Sequence, residues 1–423
     1  MSTLLQSQSQ AQAFSRTDQS FLGSWWWTVD RAILACVMVL ALFGVVMVST
    51  ASPPVAQHLG LGDYHFLKRH VFLLFFSLIM MLGISMLSPR SIWRLGSLML
   101  LSGVVALVFV LFLGAEVKGA RRWLSILGFS LQPSEFIKPA FVVVAAWLIA
   151  LQKTSGQKIG VAGKIKKSKW DILRSNDKFS GYYFTIAIYF ILISLLLMQP
   201  DLGMSVVLTC VFAVQIFIAG LRFRYLAALM AVGVGGLVLA YSTFYHVRSR
   251  IDRFLYPESG DNYQVERSLE AFKNGGFWGA GPGQGTEKLH LPDAHADFIF
   301  SVTGEEMGVL FATILIGVFL FILLRGFNRL MEAGDLFSVL AVGGLLGMFG
   351  LQALIHMGSA VNILPAKGMT LPFISYGGSS LLAVSITMGM VLALTRRQGR
   401  SSVARQGMSM RRASQEAKET SYE

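Results

Sequence analysis

Residues 279–308 read G-A-G-P-G-Q-G-T-E-K-L-H-L-P-D-A-H-A-D-F-I-F-S-V-T-G-E-E-M-G. A glycine-rich polar loop passes without interruption into an apolar helix that carries three carboxylates. Asp297 sits at the helix mouth, and Glu305 and Glu306 lie eight and nine residues further in, about 12–14 Å at 1.5 Å per residue. An ionisable group at the centre of a membrane helix costs roughly 2.5–3.5 kcal/mol on insertion scales, so such groups are functional suspects by default. Asp297 is the first of them, because glycines before it let backbone come close to a ligand.

Working outward, the composition fixes the class. Of 423 residues, 54% are hydrophobic and 14% charged, and the mean hydropathy is +0.59. Polar surface on that scale cannot cover a water-soluble body of this length, so most of the chain faces lipid. No strand-like alternation points to a barrel, and an all-α integral membrane protein is expected. Cys36 and Cys210 lie in apolar runs and read as packing residues rather than a disulfide. The net charge of +13 gathers between apolar runs and at the C-terminus, as the positive-inside rule describes, and does not indicate nucleic acid.

Hydropathy places spans at roughly 32–51, 71–87, 95–114, 136–151, 182–198, 204–220, 225–243, a stretch from about 293 to 329, 336–356 and 379–395. That gives ten transmembrane helices with both termini cytoplasmic. Residues 1–30 are expected to be a disordered tail with Trp25, Trp26 and Trp27 as an interfacial anchor, and the first apolar run is too long for a cleavable signal peptide. The membrane domain covers 31–395. It is interrupted by a basic cytoplasmic loop at 152–181 and a large outer loop at 244–297, and a basic tail follows at 396–423. Lys153, Lys164, Lys166 and Lys167 lie in the first of these loops, which reads as a solvated segment drawn to anionic headgroups.

Sorted by side, Lys68, Arg69, Lys118, Arg121, Arg122, Glu135, Lys138, Asp201, Lys288, Asp297 and Lys367 all fall at the outer face. Lys68, Arg69 and Lys118 also read as snorkelling to bulk lipid phosphates. For Asp201, after Pro200 between two spans, helix capping and a direct role both stand. Glu305 and Glu306 read as partners of a buried cation or of backbone. His290, Asp293, His295 and Asp297 are crowded, but their spacing matches no helical zinc pattern, so no resident metal is assigned; a divalent cation bound with a diphosphate stays open. One acid among cations suits transfer of a sugar from a lipid diphosphate: the acceptor hydroxyl needs a base and the leaving group needs positive charge.

Four segments in order, K-G-A-R-R-W-L…Q-P-S-E-F-I-K, Q-P-D-L-G, L-P-D-A-H-A-D-F-I-F-S-V-T-G-E-E-M-G and L-P-A-K-G-M-T-L-P-F-I-S-Y-G-G-S-S, resemble the SEDS family (shape, elongation, division and sporulation) over roughly residues 30–395. The long N-terminal tail, D-A-H before the key acid and P-A-K-G-M-T in the late loop are closer to its division member than to its elongation member. The resemblance implies a peptidoglycan glycosyltransferase of the bacterial inner membrane that polymerises lipid II at the division septum. It also implies a class B penicillin-binding protein as partner, among other divisome proteins, and ten spans. It carries the essential acid onto Asp297 and places Lys288, Arg121 and Lys367 among the outer-cavity positions. With Arg122 these cations would hold the diphosphate, while Glu135, Lys138, Asp201, His295, Glu305 and Glu306 would support the site. Ala296 stands where Thr is commoner and His356 where Asn is expected. Two other functions fit the same composition: a lipid II flippase, and a non-catalytic scaffold that recruits the transpeptidase.

Overall fold

Apolar runs separated by charged turns fold as a helical bundle. The computed structural model describes residues 20–117, 120–126, 129–156, 181–220, 223–256, 262–332, 335–365 and 368–396. A short helix, α1 (Phe21–Thr28), leads into α2 (Arg31–His58), α3 (His65–Ser85) and α4 (Pro89–Leu113). A small sheet follows, β1 (Ala115–Val117), β2 (Ala120–Ile126) and β3 (Phe129–Leu131), antiparallel in the order β1-β2-β3. Next come α5 (Pro133–Gly156), α6 (Gly181–Met198), α7 (Leu202–Ile218) and α8 (Phe223–Thr243). The segment expected as one long loop contains α9 (Tyr245–Leu255), α10 (Tyr263–Gly275) and a 3₁₀ turn at Glu287–Leu289. The chain then continues through α11 (Ile299–Met331), α12 (Leu336–Ala360) and α13 (Gly378–Leu394).

Among the described residues eight helices are long and apolar enough to cross a membrane: α2 to α6, α8, α11 and α12. Helices α7 and α13 are apolar but have 17 residues each, about 26 Å, at the lower limit for a span. The bundle centre is α5, α12 and α13: 78% and 67% of the apolar windows of α5 and α12 are buried and nearly every residue of α13 is, against 11% for α8, which lies at the periphery with its apolar side chains outward. Gln215 of α7, fully buried, donates from Nε2 to the carbonyls of Val142 (2.8 Å) and Leu340 (3.2 Å) and so ties α5, α7 and α12 together. An amide inside hydrocarbon must find such partners, which makes it a fastener between helices.

Three expectations need correction. The segment before Arg31 is not a tail as far as residue 30: α1 packs into the bundle, and Trp25, 8% exposed, donates its indole N–H to Ser85 Oγ at 3.0 Å. Trp26 and Trp27 lie under the Arg31 guanidinium, at 5.4 and 4.6 Å from the ring centres. Asp30 caps α2 through the N–H groups of Ala32 and Ile33 and accepts from Arg325 (3.0 Å) and Arg329 (2.5 Å) of α11. Burial opposes its charge, but the Arg329 hydrogen bond, the Ile33 N–H and both guanidiniums outweigh that and hold its carboxyl below the usual carboxylate range. Second, the first span does not stop before Pro53 and Pro54; both lie inside α2, as membrane helices tolerate when neighbours satisfy the freed backbone. Third, Lys68 and Arg69 belong to the first two turns of α3 rather than to a loop. Lys118, most of the basic 152–181 segment and the tail beyond Arg396 lie outside the described residues.

The decisive local feature is a break in α11. Gly308 has φ 80° and ψ 171°, so the helix stops and restarts. Val309 and Leu310 would otherwise donate to the carbonyls of Glu305 and Glu306. Instead those carbonyls accept from Ala280 (2.9 Å) and Gly281 (2.9 Å), while Val309 donates to Gly276 O (3.0 Å) and Leu310 to Phe277 O (3.3 Å). The glycine-rich loop thus replaces the broken rungs bond for bond. Contact is backbone on backbone: a Cβ on Gly308 would lie 2.4 Å from Phe277 O, and one on Gly279 2.4 Å from Glu306 O. Gly308→Ala is therefore expected to cost at least about 1–3 kcal/mol through its backbone conformation alone, read as a lowered melting temperature in detergent. Gly317→Ala in the same helix, where a Cβ meets nothing within 4 Å, is expected to leave the melting temperature unchanged or slightly raised.

Candidate active site

The loop that docks on the break also sets the entry to α11. Asp293 has φ 55° and its carbonyl accepts the N–H groups of Ala296 (2.9 Å) and Asp297 (3.0 Å), closing a tight turn. This delivers Asp297, half-buried, two residues before the helix. Its carboxylate lies against the backbone of the late loop: a Cβ built on Gly368 would stand 3.0 Å from Asp297 Oδ2. Two bonds fix the loops together, Tyr376 N–H to His295 O (2.9 Å) and Ser375 Oγ to Ala296 O (2.7 Å). Ser375 Oγ in turn accepts the Leu371 N–H at 2.8 Å.

Beside the acid, His295 is 3% exposed and packed between Phe66 (ring centres 4.5 Å apart) and Tyr376 (5.0 Å). Its Nδ1 has no hydrogen-bond partner among the described residues. Burial lowers its pKa to about 4, against a smaller opposing pull from Asp293. At neutral pH it is therefore an uncharged part of the wall.

The two deeper carboxylates hold the loop. Glu305, 1% exposed, accepts through Oε1 from the N–H groups of Thr286 (2.7 Å) and Glu287 (2.9 Å). Glu306 accepts from Lys288 Nζ at 2.5 Å, and Lys288 also donates to Gly283 O at 3.0 Å. Two of the three ammonium hydrogens of Lys288, expected to face a diphosphate, are thus used inside the loop.

On α5, Glu135 and Lys138 form a buried ion pair at 2.7 Å, and Lys138 Nζ reaches Gln352 Oε1 at 3.5 Å. Asp201 acts as a helix cap: its Oδ1 accepts the Met204 N–H (3.3 Å) and its Oδ2 the Gln132 amide (3.3 Å). Arg121 and Arg122 are neighbours on β2 and so point to opposite faces. Arg122 donates to the carbonyls of Gln199 (3.2 Å) and Pro200, clasping the turn between α6 and α7, whereas Arg121 is exposed. Lys367 lies outside the described residues.

Partners of the late loop were not identified from sequence. Gln352 Nε2 donates to Thr370 O (3.2 Å) and Oγ1 (3.4 Å), and His356 Nδ1 meets Met369 O at 2.5 Å. The signals were that a Gln and a His, four residues apart, interrupt the apolar run of α12, and that His356 stands where the family resemblance leads one to expect Asn. Among the described residues no three of His, Cys, Asp and Glu come together as a metal-holding group.

The buried His295 makes stability depend on pH. Its folded pKa is lowered, so its contribution is complete above about pH 6.5 and is lost as pH falls toward 4, where the unfolded chain takes up the proton first. His295 is expected to contribute a decline in thermal stability of up to about 1.4 kcal/mol per pH unit over that window, and His295→Phe, which keeps a ring between Phe66 and Tyr376, is expected to remove that share and leave a shallower decline.

Comparison with known proteins identifies the family. Residues 30–400 match the FtsW/RodA/SpoVE family model, described as cell cycle proteins. The chain is 41% identical over 387 residues to the probable peptidoglycan glycosyltransferase FtsW of Caulobacter vibrioides, covering 91% of this chain and 94% of that protein. It is 35% identical over 380 residues to the corresponding protein of Trichlorobacter lovleyi, covering 86% and 93%. Among solved structures it resembles a chain of a peptidoglycan synthase complex that coordinates polymerization and crosslinking, with TM-score 0.68, 26% identity and coverage of 88% and 99%. It also resembles the rod shape determining protein RodA of Thermus thermophilus, with TM-score 0.61, 25% identity and the same coverage. The chain is a multi-pass membrane protein that belongs to the FtsW/RodA/SpoVE family of cell cycle proteins.

Proposed function

We propose that this chain is a peptidoglycan glycosyltransferase of the division type, polymerising lipid II with Asp297 as general base. The observation that carries this is the seat of Asp297: a half-buried carboxylate at a loop-to-helix junction, pressed against the late loop, at the end of the bundle that gathers the glycine-rich segment and the sheet. The names of the relatives point to the same reaction.

In this reading Asp297 takes the proton from the 4-hydroxyl of the GlcNAc of an incoming lipid II. The freed oxygen attacks the anomeric carbon of the MurNAc at the reducing end of the growing chain. The new C–O bond forms as the bond to the diphosphate breaks, the anomeric configuration inverts, and undecaprenyl diphosphate leaves with the electron pair. The proton on Asp297 passes to water. Arg121 and Lys367 stabilise the departing diphosphate as charge-assisted donors. Lys288 and Arg122, expected from the sequence in the same role, are committed to Glu306 and to the turn at Pro200 and hold the surrounding loops in place. A divalent cation, where one takes part, travels with the diphosphate, whose oxygens are its natural ligands.

The topology that suits this chemistry has ten spans, counting the two 17-residue apolar helices, with both termini in the cytoplasm and Asp297 on the periplasmic side of the inner membrane. Support comes from charge: the basic 152–181 segment, Arg224 and Arg329 fall on one side and the Asp297 loops on the other. The partner of this reading is a class B penicillin-binding protein at the septum, in keeping with the similarity to a polymerizing and crosslinking complex.

Removal of a general base typically costs 10²–10⁴-fold, so Asp297→Asn is expected to lose about that much glycan synthesis in reconstituted lipid II assays while keeping its melting temperature. Full activity of this variant removes Asp297 from the mechanism.

A further inference from the structure

An irregular segment runs close to the proposed base, and something must hold it there. Residues 368–370 belong to no helix or strand, yet Gly368 stands so near Asp297 that a Cβ on it would lie 3.0 Å from the carboxylate oxygen Oδ2. The grip comes from one face of α12, since positions 352 and 356 are a helical turn apart. Gln352 donates to Thr370 O at 3.2 Å and His356 meets Met369 O at 2.5 Å. Both acceptors are backbone carbonyls, so the grip depends on the two donors rather than on the side chains of the loop.

The donors are fixed in orientation. A carbonyl only accepts, so His356 carries its proton on Nδ1. The Gln352 amide has its oxygen turned to the Lys138 ammonium and its NH₂ to Thr370, and the ion pair with Glu135 holds that ammonium in place. Gln352, Lys138 and His356 are 2%, 2% and 0% exposed. A buried ion pair is weak evidence for stability, because apolar residues of similar volume often serve as well. Here it has a second consequence: it sets which end of an amide faces the late loop.

We propose that Gln352 is a positioning residue for the glycosyl transfer, oriented by Glu135 and Lys138, and that together with His356 it clamps residues 368–370 against Asp297. This rests on the reading of Asp297 as the base. The clamp acts on the geometry of the reacting groups, and misplacement of about 1 Å can cost on the order of 100-fold in rate.

The test uses the full chain reconstituted with its transpeptidase partner and lipid II as substrate. Gln352→Glu is nearly isosteric and keeps an oxygen toward Lys138, but sets a second oxygen against the Thr370 carbonyl. Its kcat is expected to fall about 10–100-fold with KM within about two-fold, and deuterium uptake in residues 368–376 to accelerate. His356→Asn retains a donor and is expected to stay within about three-fold of the parent, whereas His356→Leu falls with Gln352→Glu. Should Gln352→Glu fail to fold, the His356 pair makes the same comparison. Unchanged kcat and exchange in Gln352→Glu, or equal activity of His356→Asn and His356→Leu, overturns the clamp. An active Asp297→Asn, measured alongside, overturns the reading of the base itself; an inactive Asp297→Asn beside a fully active Gln352→Glu removes the clamp alone.

Discussion

A helix interrupted inside a bilayer leaves backbone donors and acceptors that lipid cannot satisfy, and this constraint shapes the whole site. Broken helices survive at membrane depth only where protein supplies the missing bonds. In this chain the substitute is the glycine-rich loop, whose residues 276, 277, 280 and 281 take up the four groups released around Gly308. The side chains beside the break reinforce the exchange: Glu305 binds the backbone of the 3₁₀ turn and Glu306 binds Lys288. The acids first noticed for their cost in hydrocarbon are thus mainly fasteners, and the loop they hold is the one that ends in Asp297. Function and architecture meet in one segment because the same loop repairs the helix and presents the carboxylate.

A second layer then closes over the acid. The late loop approaches from α12 and α13 and is bonded on both flanks, to residues 295 and 296 on one side and to residues 352 and 356 on the other. Uncharged His295, its ring tilted against those of Phe66 and Tyr376, fills the wall with aromatic surface. The result is a half-buried carboxylate at a junction whose flanking loops are bonded to one another. At the far end of α11, Asp30 pins the N-terminal junction to Arg325 and Arg329, so one helix links the start of the bundle to the proposed site.

Much of this was legible in the sequence, and the remainder has identifiable causes. Hydropathy located the apolar helices because each is long relative to its turns, and it singled out Asp297, Glu305 and Glu306 because a carboxylate within an apolar run stands out against any average. The strands at 115–131 escaped because they are three to seven residues long and rich in charge. Helices α9 and α10 escaped because an amphipathic segment between spans resembles loop in a hydropathy profile. Pairings were harder still. Nothing local to Lys288 says that its partner is Glu306, or that Arg122 clasps the turn at Pro200, since those contacts depend on which helices become neighbours. Gln352 and His356 were visible as polar interruptions of α12, but their acceptors are carbonyls in a segment with no regular structure.

The central claim is that the Asp297 carboxylate faces the outside of the cell. Its most direct measurement is labelling of a single cysteine at position 297, in a chain where Cys36 and Cys210 are replaced by serine, with a membrane-impermeant maleimide. Right-side-out vesicles should react at this position and inside-out vesicles should not, with protection by added lipid II. Reaction confined to inside-out vesicles, or none from either side, would contradict the account.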